Sequence, residues 1–536
     1  MENMNKRILI AILLSVIVLV AYPYIVPAPK APKQEVPQSQ ELEQTAGQKE
    51  GKLLSEAEIV QVSGEMGKEE RLITIDTDLY KAIFTNKGGV IKHWELKKYW
   101  MDAAKTKSIV LFDPGKVIVA ANPLGISVGE GELNNLVKEG FYSVEGSDLQ
   151  LNDKNPNGTI AFTFVDPKSG KGFKKTFTFH YDTYNVDVDI IPVNITESYA
   201  VSTGSNFGIH EWGEEKILGF VGPMTMVGTK LKKDKIKKIE GPVTHEGDVK
   251  WTAIQDKYFI SALIPKGKVS MVVVRKNNEK DVHSSIEVTN GQKVSLLLYA
   301  GPKESERLRG FGVGLDNSIP FGWFMFWELS VISWLAKGLF YVLQVFYKYS
   351  GNYGIAIIVL TAIIKVIFVP LTYKSMKSMK DMQKIQPELQ KLQKKYKDDR
   401  AGLNKAMMEL YKTHKVNPLG GCLPMLLQLP VFMGLYNLLA SSIELRQAPL
   451  FLWVTDLSMK DPYYVLPIIM GISMLLQQKM SPSTVDPTQA KIMLIMPVIF
   501  TFFFLNFPSG LVLYWLVNNL LTVGQQVVQN KYFSGK

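Results

Sequence analysis

A lysine set deep in an apolar run is the first residue of this chain whose chemistry needs explaining. Lys365 lies in Ile355-Ala-Ile-Ile-Val-Leu-Thr-Ala-Ile-Ile-Lys-Val-Ile-Phe368. An ammonium near the centre of a membrane span costs roughly 3 kcal/mol on insertion scales, so it faces protein or water, or its stem snorkels to the headgroups. Thr361 stands one turn earlier on the same helical face. Near the C-terminus Trp515, Asn518 or Asn519, Thr522 and Gln526 recur at helical spacing, with Tyr514 beside them. Gln428 sits between Pro424 and Pro430, and Gln477 and Gln478 close another apolar run. Any one of these polar groups serves to join helices. Taken with a lysine, the set describes a wet cavity inside a helix bundle, whose chemistry is attraction and not bond making. No paired carboxylates lie in the apolar segments, so an acid-based proton relay has little support.

Other chemistries find less in the sequence. His210-Glu211 lacks the second histidine of a zinc-protease motif. Gly310-Phe-Gly-Val-Gly314 has no strand–helix unit around it, so it reads as a flexible exit from a β domain and not as a dinucleotide loop. The lone cysteine, Cys422, excludes an internal disulfide framework and a multi-cysteine metal site. No cofactor is expected. A formal charge of +11 over 536 residues invites nucleic acid or anionic lipid as a partner. Nucleic acid is the weaker reading, because the basic residues gather beside apolar spans without any recognition motif.

The elements that must position these residues are mostly membrane spans. Lys6-Arg7 precede an apolar run from Ile8 to about Tyr22, an uncleaved signal anchor (residues 1–26) with its N-terminus inside. Residues 27–56 have the Pro-, Gln- and Glu-rich composition of a solvated tether. Further apolar segments fall at about 353–371, 418–440, 463–478, 492–506 and 510–528. The basic stretch 374–415 should be cytoplasmic by the positive-inside rule. If 57–316 is outside, only one of the segments 322–347 and 353–371 can cross. The aromatic-rich 320–349 is therefore expected to be an amphipathic helix in the interface. That gives six spans, five of them in a core over 350–532, with both termini inside. Two spans, 463–478 and 492–506, offer roughly 15 apolar positions against the roughly 20 that ordinary hydrocarbon thickness demands.

Residues 57–316 read as an all-β sandwich. Lys174–His180 and Asn185–Ile191 alternate around Tyr181–Tyr184, a hairpin signal, and Leu72–Thr77, Gly158–Val165, Lys268–Arg275, Ser285–Thr289 and Val294–Tyr299 add short strands. Within 374–415, Met376, Met379, Met382, Ile385, Leu389, Leu392 and Tyr396 keep a helical period. Leu403, Met407, Leu410 and Tyr411 repeat it after a turn at 398–402. The pattern is a helical hairpin with an apolar seam. Its methionines either pack that seam or also receive varied apolar segments.

Several stretches carry a resemblance: Lys415-Val-Asn-Pro-Leu-Gly-Gly-Cys-Leu-Pro424, Glu444-Leu-Arg-Gln-Ala-Pro449, Asp461-Pro-Tyr-Tyr464, Gln478-Lys-Met-Ser-Pro482 and Phe507-Pro-Ser-Gly-Leu-Val-Leu-Tyr514. Over 320–532 the chain resembles the YidC branch of the YidC/Oxa/Alb membrane insertases, in its Gram-negative type with a large periplasmic domain. Trp251, Lys257-Tyr-Phe259 and Gly301-Pro-Lys303 extend the likeness more thinly into the β domain. The resemblance implies a multi-domain protein of the inner membrane, with a periplasmic supersandwich similar to sugar-binding folds. It implies action alone or beside the Sec translocon and its accessory subunits, on nascent membrane proteins. The ribosome or targeting machinery would then meet the cytoplasmic face. By position, the family's positive groove residue falls on Lys365, where many members have arginine. Its partners fall on Thr361, Gln428, the Gln477-Gln478 pair, Tyr514 and Trp515. A lysine keeps the charge but lacks the planar fork of donors. Two other classes share some of these features: a secondary transporter, and a membrane-tethered carbohydrate-binding protein or enzyme.

Overall fold

The computed structural model describes residues 69–534, apart from residues 103, 114–120, 130, 206, 209–219, 279–280, 322, 325–326, 329, 397–398, 415, 417–422 and 481–486. The signal anchor, the tether, His210-Glu211 and Cys422 lie outside the described residues.

The first half is β structure built from alternation. In Gly172–His180 the side chains of Phe173, Phe177 and Phe179 are buried, while Thr176 and Thr178 on the opposite face are half-buried. This strand pairs antiparallel with Asn185–Val193 across the expected turn, Phe179 opposite Val186 and Lys175 opposite Ile190. They are interior strands of a nine-stranded sheet. Its order is Lys230–Lys233, Gly222–Val227, Val249–Gln255, Phe259–Pro265, Val294–Pro302, Asn185–Val193, Gly172–His180, Asn157–Val165 and Ser143–Glu145. Two five-stranded sheets complete the sandwich. One runs Ser108–Phe112, Val90–Trp100, Tyr80–Thr85, Leu72–Asp76, Leu149–Gln150. The other runs Val243–Glu246, Met271–Asn278, Asp281–Val288, Tyr199–Ser202, Ile126–Val128. Phe84 meets Phe177 and Phe179 at 5.1 and 5.4 Å between ring centres, and Phe173 meets Tyr199 at 5.1 Å, so aromatic contacts join both small sheets to the large one. Every strand expected from the sequence is present, within a few residues.

Lys175 breaks the apolar stripe of its strand. It occupies an inward position, is wholly buried, and donates to the carbonyls of Gly88, Gly89 and Leu124 at 2.8, 3.1 and 3.0 Å. One ammonium thereby ties the large sheet to the turn after Tyr80–Thr85 and to the segment leading into Ile126–Val128. A helix, α1 (Glu132–Glu139), covers this end of the sandwich.

The chain leaves the sandwich through α2 (Ser305–Gly310). The glycine-rich segment that follows differs from the flexible exit expected. Gly312 and Gly314 take left-handed turns (φ 68° and 72°), which glycine adopts without steric cost. Between them Val313 accepts the indole N–H of Trp251 at 3.2 Å, and Phe311 packs edge-on against Tyr299. Packing against the sheet fixes this segment.

Among the described residues eight α-helices follow: α3 (Ser330–Ser350), α4 (Tyr353–Lys384), α5 (Gln386–Lys395), α6 (Arg400–Thr413), α7 (Leu423–Ser441), α8 (Val465–Met480), α9 (Pro487–Phe504) and α10 (Ser509–Ser534). The segment expected as one helix over 320–349 is two pieces. Trp323–Phe324 and Trp327–Glu328 form a two-residue hairpin, and the helix begins only at Ser330. Helix α3 buries Ala336, Leu339, Phe340 and Leu343 and exposes Val331, Trp334, Tyr341 and Tyr349. Helix α4 is 32 residues long and runs on past the apolar run into the basic stretch. Met376 and Met379 therefore belong to its tail. The hairpin proper is α5 and α6, whose seam holds Ile385, Leu389 and Val416 with Met382, Met407, Leu410 and Tyr411. Among the described residues, α4 and Ser509–Gln529 of α10 are long and apolar enough to cross a membrane, and shorter apolar helices occur at Val465–Met480 and Ile495–Phe504.

The loop from α7 to α8 caps the bundle. Asp461, fully buried, accepts from Trp453 Nε1 (3.1 Å) and from the backbone N–H groups of Tyr463 (3.0 Å) and Leu466 (2.7 Å), capping α8. Asn352 caps α4 through Gly354 N and Ile355 N and donates to Leu450 O at 2.7 Å. Ser509, at the start of α10, donates its N–H and hydroxyl to Met459 O. One loop thus holds the starts of three helices. The same loop docks on the sandwich. Arg446 and Gln447 donate to Trp100 O at 2.6 and 3.0 Å, and Glu444 accepts the N–H of Ser305 at 3.1 Å.

Candidate functional site

Several of the polar residues in the apolar segments, Lys365 and Gln428 among them, meet partners along one helix, α10. Taken from its start, Tyr514 is buried and accepts a hydrogen bond from Gln428 of α7. Asn519, also buried, donates to Ser473 Oγ of α8 at 3.0 Å, and Ser473 donates on to Met470 O at 2.6 Å. Thr522 accepts from Lys365 Nζ of α4 at 2.6 Å and donates its own hydroxyl to Asn518 O at 2.6 Å. Gln525 donates to Thr372 of α4 at 2.7 Å. Each pair joins α10 to a neighbour, which is how apolar helices gain direction where no hydrophobic force sorts them.

Lys365 is half-buried, and its partner is a neutral hydroxyl. No acidic group pairs with it among the described residues. The ammonium can give up a neutral partner to an incoming carboxylate without breaking an ion pair.

The other candidates are placed less uniformly. Thr361 is 1% exposed and donates to Ile357 O of its own helix at 2.6 Å, so its hydroxyl is spent locally although it lies one turn from Lys365. Trp515 packs among Phe432, Phe500 and Phe504, with the Phe432 ring at 5.2 Å and nearly perpendicular. It is part of an aromatic cluster joining α7, α9 and α10. Gln477 and Gln478 are half-buried on α8. Tyr514 and Thr522 are eight residues apart, or about 12 Å along the helix, so the Gln428–Tyr514 pair stands well above the lysine. Met376, Met379 and Met382 are all half-buried, and Met382 alone packs into the hairpin seam. Ser473, Thr372 and Gln525, which join this set, carry no distinctive signal in the sequence. A serine or threonine inside an apolar helix is too common to stand out, because its hydroxyl can always turn to its own backbone.

No group of three or more His, Cys, Asp or Glu side chains suited to a metal ion occurs among the described residues. A β-sandwich followed by a helical bundle, with two helices among the described residues long and apolar enough to cross a membrane, fits an integral membrane protein with an extramembrane domain.

Comparison with known proteins narrows this class. Residues 345–536 match the family described as 60Kd inner membrane protein, and residues 72–342 match the YidC periplasmic domain. The membrane protein insertase YidC of Geotalea daltonii is 42% identical over 551 residues, covering 98% of this chain and 99% of that protein. That of Citrifermentans bemidjiense is 43% identical over 548 residues, with coverage of 98% and 99%. The crystal structure of YidC from Thermotoga maritima aligns with 85% of this chain and 99% of that one, at 15% identity and a TM-score of 0.34. The chain belongs to the YidC family of membrane protein insertases, bacterial inner-membrane proteins with a periplasmic domain. Membership sets aside the transporter and the tethered carbohydrate-binding protein.

Proposed function

We propose that this insertase works by transient electrostatic capture at Lys365, within a groove open to the cytoplasm and to lipid and closed at its outer end. The observation that carries the proposal is the half-buried ammonium with a neutral hydroxyl as its partner. At an effective dielectric near 20, a carboxylate about 4 Å away is attracted by roughly 4 kcal/mol before desolvation. That biases entry of an acidic or polar substrate tail and still permits release. Burial of the substrate's apolar helix in lipid supplies the driving force, so neither a nucleotide nor a bond-making residue is required. The loop that caps α4, α8 and α10 supports the closed outer end, since it ties three helix starts together.

In this reading six spans place both termini and the α5–α6 hairpin in the cytoplasm. Helix α3 lies in the outer interface, with Trp334 and Tyr341 toward lipid. Gln428, Gln477, Gln478, Tyr514 and Trp515 line or wall the groove, and Thr361 acts through packing beside Lys365. Met376, Met379 and Met382 face substrate or a targeting partner, and the Sec translocon and the ribosome are the expected co-workers.

The test is insertion of an acidic-tailed substrate into proteoliposomes. Lys365→Arg should retain activity, and Lys365→Leu and Lys365→Glu should lose it, the latter more completely. Full activity in a well-folded Lys365→Leu protein would overturn the mechanism.

A further inference from the structure

The loop between α7 and α8 ends in an apolar tip that the bundle does not cover. Phe451 and Leu452 are 55% and 78% exposed, and Met459 and Tyr463 are exposed beside them. The tip is held rigidly: Leu450 N donates to Val454 O at 2.9 Å and Leu457 N to Ala448 O at 2.9 Å, while Asn352 and Ser509 grip its two sides. Leu452 stands at φ 58°, a conformation that bulky side chains adopt rarely and at an energetic cost. A rigid turn that spends backbone strain to project two large apolar side chains outward marks a surface with a partner.

The chemistry of the loop favours lipid. Of its acids, Asp461 is fully buried in the cap of α8 and Asp456 accepts from Ser458 N and Oγ at 2.8 and 2.7 Å. Lys460 is exposed, which suits anionic phosphate. Exposed apolar side chains recur just beyond Tyr463, at Ile468, Ile469 and Ile472 of α8, as on the face that a membrane helix turns to acyl chains. We infer that residues 448–464 are seated in the outer leaflet, with Phe451 and Leu452 among the acyl chains and Lys460 at the phosphates. The leaflet rests on the proposed topology; the contact with lipid does not. Seated in this way, the loop fixes the depth of the helix starts it caps, including the short α8, which would otherwise be free to slide along the membrane normal.

The test uses the full chain with Cys422→Ala and Leu452→Cys, labelled with an environment-sensitive fluorophore. It is reconstituted in phosphatidylethanolamine–phosphatidylglycerol vesicles. Nitroxides on the acyl chains should quench most of the emission, and aqueous iodide should leave it unchanged. Thr455→Cys, exposed on the same loop, should respond in the opposite way. Quenching of Leu452→Cys by iodide and not by acyl nitroxides overturns the inference. Self-quenching that grows with protein density in the membrane overturns it too, in favour of a second copy. In Leu452→Gly the backbone strain is relieved while the tip is lost. A label at Ile468 should then move toward the headgroups with no loss of thermal stability in detergent; an unmoved label counts against the loop as a depth anchor. An impermeant thiol reagent at Thr455→Cys in cells reports the side of the membrane separately. Labelling from the wrong side would sink the topology and leave the lipid contact standing.

Discussion

Glu444 accepts the backbone N–H of Ser305 at 3.1 Å, and that single bond joins the loop after α7 to the helix by which the chain leaves the sandwich. Its other carboxylate oxygen is buried without a hydrogen-bond partner. Burial raises the Glu444 carboxyl from 4.5 to about 7, and Glu304 nearby raises it further against the backbone donors that lower it. Glu304 is itself held by Tyr99 at 2.6 Å and Arg307 at 3.0 Å, and Tyr353 and Tyr299 also face the pocket.

A carboxyl whose docked pKa is raised favours the docked state when protonated. Its contribution is complete below the ordinary value of 4.5 and is lost as pH rises through about 7. The displacement corresponds to roughly 3 kcal/mol. Amide exchange over Ser305–Gly310 should therefore be slower at about pH 6 than at about pH 8, after correction for intrinsic rates. Glu444→Gln should remove the difference. An unaltered pH profile in that variant would show that another group is responsible.

Lys175 offers a test of the sandwich. Lys175→Met leaves three carbonyls without their donor while removing the burial of a charge. Unpaired buried acceptors cost about 1 to 3 kcal/mol each, and relief of the charge offsets part of this, so a net loss of roughly 2 to 4 kcal/mol is expected. Differential scanning fluorimetry of the purified chain should show the first transition moved down, with insertion activity retained below it.

Thr522→Val removes the acceptor of Lys365 Nζ and keeps both the shape and the charge. Insertion of an acidic-tailed substrate should fall only a few-fold, about 1 kcal/mol, well short of the loss in Lys365→Leu. Equal losses in the two variants would shift the weight from the charge to the hydrogen bond.

Topology is open to direct labelling in a Cys422→Ala background. Cysteines at Asp153 and Thr455, both exposed, should react with an impermeant reagent in cells whose outer membrane has been made permeable, and one at Thr413 should not. Reaction at Thr413 from outside would refute the cytoplasmic hairpin.

Much of this was legible in the sequence because it rests on periodicity. The strand Gly172–His180 and its partner announce themselves by alternation, and the register follows from which face must be buried. Lys365 was conspicuous because a charge in an apolar run is costly. The roles that the sequence does not show depend on contacts between distant segments. Glu444 looks like any loop acid until Ser305 is brought against it, and Asp461 like a turn residue until α8 begins above it. The hairpin at Trp323–Trp327 passes for helix in the sequence because aromatic and apolar residues at close spacing suit either period in a short stretch. Lys175 did leave a signal: a lysine where the alternation asks for an apolar side chain.

Helix α4 also has a mechanical meaning. Its 32 residues measure about 48 Å, against a hydrocarbon core of about 30 Å. Anchored at one end by Asn352 and carrying α5 and α6 at the other, it is, in the proposed topology, a lever whose fulcrum lies inside the bilayer. Pro370, within the helix and five residues past Lys365, removes one rung of the backbone ladder and makes that point the compliant one. A load on the hairpin therefore bends the arm just beside the lysine, so whatever engages the far end has leverage over the polar site.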